Sequence, residues 1–169
     1  MDVMRGLALV LATITMGLVT GAFALYAHTI MPALRGTDDR TFVGAFQAMD
    51  RSIINPWFMA GGFVGAALFT GLAGALFLGG GGRSVLPWVV AAFVLYMVAF
   101  IITVAVNVPL NDQIKAAGAP GKISDLAAVR ARFDEAKWAA WNLVRLVLSL
   151  AAFGSLIWAL VLYGRTTAS

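Results

Sequence analysis

The stretch from Ser84 to Asn111, SVLPWVVAAFVLYMVAFIITVAVNVPLN, contains no Asp, Glu, Lys or Arg, and its reading decides the fold. A helix needs ~20 mostly apolar residues to cross a hydrocarbon core of ~30 Å. This stretch supplies them with length to spare. Three further charge-free windows, Gly6 to Leu34, Ser52 to Gly82 and Leu146 to Gly164, supply the others. The chain of 169 residues is 61% hydrophobic, and its mean hydropathy is +0.89. A soluble domain of this size has no interior large enough to hide that much apolar surface.

The expected architecture is therefore all-α. It is a four-transmembrane-helix bundle with interfacial amphipathic helices in the 1–2 and 3–4 loops. The spans fall at about 6–31, 55–78, 85–107 and 138–163, within a single integral membrane domain over 1–169. A multi-pass protein of the cell membrane follows. Met1 to Arg5 and the small-residue pattern Ala22-Phe23-Ala24 resemble a secretory signal, but the apolar run continues to Leu34, so it reads as a retained first helix.

Pro32 is expected to end the first helix, and Pro109 the third, because proline removes a backbone donor and crowds the preceding turn. Gly36 to Ile53 reads as an interfacial helix capped by Thr37, with Phe42, Phe46, Met49 and Ile53 on one face and Asp50 and Arg51 on the wet face. Asn55-Pro56 starts the second span. Gly17 and Gly21, and then Gly61, Gly65, Gly71 and Gly74, read as close-packing positions. Gly79 to Gly82 form a tight turn into the third span. Ser124 caps a long helix that enters the bilayer near Trp138 and runs unbroken to Tyr163. Counting Lys and Arg alone places the two longer loops in the cytoplasm.

The net charge of +4 resides mainly in loops. That distribution fits membrane-adjacent segments, with lipid as a partner and no nucleic acid. Cysteine is absent and histidine occurs once. Metal sites built on several such ligands are accordingly not expected, nor is any cofactor. No carboxylate lies within the spans, which argues against a proton pump.

Polar residues inside the apolar runs gather at one end of the bundle. His28 closes the first run, Asn55 opens the second, Asn107 and Asn111 close the third, and Asn142 and Arg145 open the fourth. Each such group is costly in hydrocarbon unless it finds a partner. Trp138, Trp141, Asn142 and Arg145, at i, i+3, i+4 and i+7, share one stripe of the fourth helix. Arg145 then either stacks on Trp141 and bonds neighbouring carbonyls and amides, or serves as a fixed positive charge for an anionic or enolate oxygen. His28 offers the one imidazole available as a general base, and is otherwise a hydrogen-bonded structural residue. The asparagines either close helices or join helices by side-chain hydrogen bonds.

Met31-Pro32-Ala33-Leu34, Phe46-Gln47, Asn55-Pro56-Trp57-Phe58, Asn107-Val108-Pro109-Leu110-Asn111, and Trp138 through Trp141-Asn142 to Arg145 together resemble the anthrone-oxygenase-like family of small four-helix membrane proteins. The likeness covers nearly the whole chain, with Asp50 standing where an asparagine is expected after Gln47. It implies an oxygenase that acts on an anthrone or other phenolic molecule with dioxygen and without metal or flavin. In that role His28 serves as base and Arg145 as enolate clamp. Gln47, Asn55, Asn107, Asn111 and Asn142 orient the aromatic ligand between Trp138 and Trp141. The alternative is a non-enzymatic membrane protein that binds a lipid, quinone or partner helix through the same cluster. A hydrophobic or aromatic small molecule is the expected partner, and a homo-oligomer is compatible with either reading.

Overall fold

The computed structural model describes residues 2–79 and 82–167, so Gly80 and Gly81 of the glycine turn lie outside the described residues. The described residues are helical, without strands. Four apolar helical segments are long enough to cross a membrane: α1, Asp2–Arg35; α3, Pro56–Leu78; α4, Leu86–Ala116; and the segment Leu126–Thr167. The last divides into α5, Leu126–Phe133, and α6, Glu135–Thr167. The connecting helix α2, Asp39–Ile53, lies between α1 and α3.

The spans pack in a closed circuit, α1 on α3, α3 on α4, α4 on α6 and α6 on α1. On α6 the buried positions Trp138, Asn142, Arg145, Ser149, Ala152, Leu156 and Ala159 repeat at alternating steps of four and three. That is the seam of a helix packed at a shallow crossing angle. Large apolar side chains such as Leu7, Ile14, Leu72, Val94, Ile101 and Leu150 are exposed, as a lipid-facing belt requires.

Neither proline ends its helix. Residues Tyr26–Ile30 form a π turn in α1, and the Met31 N–H closes it on the Tyr26 carbonyl. Thr103–Asn107 do the same in α4, closed by the Val108 N–H on the Thr103 carbonyl. Pro32 and Pro109 each stand two residues beyond such a turn, in the first turn of the α segment that follows. The wider turn shifts the carbonyl register, so the proline occupies a first-turn position where its missing donor costs little. A third π turn, Met59–Phe63, interrupts α3. Its backbone leaves room only for a glycine at position 65, because a Cβ there would lie 2.1 Å from the Ala60 carbonyl oxygen. Gly17 packs against the Phe153 ring, whereas Gly21 meets nothing within 4 Å.

The caps also differ from expectation by one residue. Asp38 caps α2 by accepting the Thr41 N–H, while the Thr37 hydroxyl bonds the Leu34 carbonyl. Asp125, not Ser124, caps α5 through the Ala128 N–H. The long last helix is broken at Asp134, which takes the left-handed conformation at φ 52° and ψ 68°. Its carboxylate then accepts the Lys137 N–H and starts α6. Turn chemistry at one aspartate thus outweighs a continuous helical pattern. The break lets α5 fold back, where Phe133 and Trp138 join Phe42 and Phe46 of α2 in one aromatic cluster.

Candidate functional site

The π turns of α1 and α3 end beside the polar positions of α4 and α6, and a cavity of about 180 Å³ opens there beneath the C-terminal half of α2. Its apolar walls are Phe23, Phe46, Phe58, Met59 and Phe63. Its polar lining is Tyr26, Asp50, Thr103, Asn111, Asn142 and Arg145, with Trp138 between the two groups. An engineered apolar cavity of about 150 Å³ takes up benzene, so this one accommodates an aromatic ring. Its open side leaves room for a larger ligand to extend.

Arg145 dominates the electrostatics. It is only 4% exposed, yet among the described residues no carboxylate pairs with it. One guanidinium nitrogen donates to the Thr103 hydroxyl at 3.1 Å and another to the Asn142 carbonyl oxygen at 2.8 Å. Its carbon lies 4.4 Å from the Phe23 ring centre and 5.5 Å from Trp138. The buried Nε has no partner. Neutral acceptors and ring faces hold the cation in place without neutralising it.

The neighbours of Arg145 are braced in turn. Asn142 donates to the Phe23 carbonyl at 3.1 Å, just before the π turn of α1. Asn107 is buried and donates to the Trp138 carbonyl at 3.2 Å. The Trp138 indole N–H donates to Asn111 at 2.7 Å, and Asn111 donates to Asp50 at 2.6 Å. Asp50 also forms an ion pair with Lys115 at 2.8 Å.

Of the residues singled out in the sequence, the cavity brings together Asn111, Trp138, Asn142 and Arg145, with Asn107 directly behind them. It does not include the others. His28 is exposed on the π turn, and its Nδ1 lies 2.6 Å from the Thr29 hydroxyl. Gln47 is buried away from the cavity, where its amide ties α2 to the Ile114 and Gly118 carbonyls. Asn55 caps α3 through the Phe58 N–H. Trp141 is 37% exposed on the outer side of α6. It gives way to Phe23 and Trp138 as the partners of Arg145.

Phe23, Tyr26, Phe46, Asp50 and Thr103 also belong to the site without having been singled out for it. For Asp50 a signal exists: it falls four residues after Phe46 and eight after Phe42, on the buried face. Its charge assigned it to the wet face, but Asp50 is only 5% exposed. The Lys115 ammonium and the Asn111 amide make that burial tolerable.

A family model described as anthrone oxygenase matches residues 55–155. The chain belongs to the anthrone oxygenase family. It is an oxygenase-like membrane protein. The matched segment carries the Asn55 cap, the helical stretch from Asn107 to Asn111 and the Trp138 to Arg145 stripe, whereas Phe23, Tyr26, Phe46 and Asp50 precede it. Comparison with curated proteins and with solved structures gave no match.

Proposed function

We propose that this protein oxidises an anthrone, or a phenolic aromatic of similar reactivity, with dioxygen in the cavity around Arg145. The observation that carries the reading is a buried guanidinium that faces an aromatic-walled cavity and, among the described residues, forms no ion pair with a carboxylate. Such a cation is placed to balance charge that develops on a ligand oxygen. Loss of a benzylic proton from an anthrone gives an enolate whose negative oxygen pairs with Arg145. The enolate carbon reduces dioxygen and forms a C–O bond to it. The resulting peroxide takes up a proton, and loss of water with the second benzylic hydrogen leaves a carbonyl. One anthrone and one dioxygen thus give one anthraquinone and one water. Phe23, Phe46 and Trp138 hold the ring system, while Asn142 and Thr103 hold the guanidinium in position.

Oxygen uptake by the detergent-purified chain supplied with an anthrone tests the proposal. Uptake above the buffer rate is expected, with one quinone formed per dioxygen. It should be abolished in Arg145→Met and retained in His28→Ala, whose ring lies outside the cavity. Ligand binding with no oxygen uptake in the unaltered chain would instead support a binding protein for a quinone or phenol. Ile54, which lines the cavity and is 59% exposed, suits that alternative.

A further inference from the structure

Two opposite charges line this cavity, Arg145 and Asp50, and they do not pair with one another. Two charges buried only for stability would gain most by meeting directly, because each unpaired ion in a low-dielectric site costs several kcal/mol. Here each is held by its own set of partners. Arg145 is fixed by Thr103, Asn142 and two ring faces. Asp50 is fixed by the Asn111 amide on Oδ1 and by the Lys115 ammonium beside Oδ2. Tyr26 lines the same cavity. The arrangement keeps a cation and a carboxylate apart, with room for a ligand to meet both.

We infer that Asp50, rather than the single histidine, accepts the proton from the ligand carbon while Arg145 receives the charge on the ligand oxygen, an inference that rests on the oxygenase reading above. The C–H bond breaks, its electron pair passes into the enolate, and the proton moves to a carboxylate oxygen of Asp50. That carboxylate lines the cavity and is held there by the Asn111 amide at 2.6 Å and the Lys115 ammonium at 2.8 Å. An aspartate is a competent base for a carbon acid when a separate group stabilises the enolate oxygen, as the general chemistry of ketosteroid isomerisation shows. Lys115 also gives the proton a way out. It lies 3.0 Å from Asp112, whose side chain is 63% exposed, so Lys115 can pass a proton to Asp112 at the surface and take up the one held by Asp50, which returns Asp50 to its carboxylate form.

The experiment isolates proton transfer from oxygen chemistry. The full chain in detergent is incubated with an anthrone in deuterated buffer under anaerobic conditions, and deuterium entering the benzylic position is followed by mass spectrometry. The unaltered protein should exchange faster than buffer. Asp50→Asn should slow the enzymatic exchange about 100-fold, as expected for loss of a general base, while anthrone binding, read by quenching of tryptophan fluorescence, stays within about threefold. Asp50→Glu keeps the charge and the ion pair but moves the carboxylate by one methylene. It should fold and exchange at least about tenfold more slowly, because a displacement of ~1 Å already costs much of the rate. Exchange at the unaltered rate in either variant overturns the inference, and the oxygenase reading survives if oxygen uptake persists. Exchange that depends on Asp50 without any oxygen uptake overturns the oxygenase reading and leaves the proton acceptor in place. Absence of exchange in the unaltered protein overturns the inference directly.

Discussion

Replacing Arg145 by methionine, a side chain of comparable length without charge, separates a binding group from a structural one. Two charge-assisted hydrogen bonds are lost, at about 1.5–3 kcal/mol each. Two ring contacts are lost as well, at about 0.5–2 kcal/mol each. Against that loss, methionine removes the burial penalty of an ion without a counter-charge, which is several kcal/mol. Few groups are orphaned. The Thr103 hydroxyl still donates to the Ala99 carbonyl at 2.8 Å, and the Asn142 amide still donates to Phe23 at 3.1 Å. The Thr103 and Asn142 oxygens both lose a donor, but Thr103 keeps its hydrogen bond to Ala99, so the cost of about 1–3 kcal/mol falls mainly on the Asn142 carbonyl oxygen. The loss and the gain oppose one another and are of the same order, and a net change of about 2 kcal/mol would shift Tm by about 4–8 °C for a domain of this size. Function should change far more. Removal of a group that holds a developing oxyanion costs about 10²–10³ in rate. The assays are a thermal melt in detergent and oxygen uptake with an anthrone on the same preparation. A melting point lowered by well over 8 °C, together with undiminished turnover, would refute the reasoning and make Arg145 a structural brace.

Three other predictions concern the frame around the site. Gly65→Ala should destabilise the protein by at least about 1–3 kcal/mol, the range for overpacking, because the added Cβ would meet a backbone carbonyl that cannot swing aside; a thermal melt checks it, and an unchanged Tm contradicts the π turn in α3. Asp134→Val should cost about 1–2 kcal/mol for the left-handed conformation alone, while Asp134→Gly should largely avoid that cost; parallel melts of the two variants compare them. The Thr41 backbone N–H, and then its hydroxyl, hold the Asp38 carboxyl below the ordinary carboxylate range. Its contribution to the start of α2 is therefore complete above the unfolded carboxylate pKa and is lost as pH falls through the lower folded value, which amide exchange at Thr41 should report.

The four spans were legible because a bilayer imposes one simple demand, ~20 apolar residues per crossing, and charge-free windows answer it directly. The stripe on α6 was legible for a related reason. Buried groups on one helix must share its period, so Trp138, Asn142 and Arg145 were already aligned in the sequence. Asp50 was misplaced because charge was weighed against a helical period that put it on the buried face; only the position of Lys115 and Asn111, more than sixty residues away, makes its burial tolerable. The continuation of α1 and α4 past Pro32 and Pro109 was hidden as well. A π turn has no composition of its own, and it forms where packing against neighbouring helices compensates its strain.

By itself, then, the sequence determined the membrane class, the number of crossings and which end of the bundle carries the polar groups, since these follow from the local cost of placing each side chain in hydrocarbon. The tertiary structure decided which of those groups meet. It turned His28 outward, brought Tyr26, Phe46 and Asp50 to the cavity, and left Arg145 facing it without a paired carboxylate among the described residues. Those outcomes depend on how helices from distant parts of the chain rotate and break against one another, as at Asp134 and the three π turns, and no local property of the chain specifies that rotation.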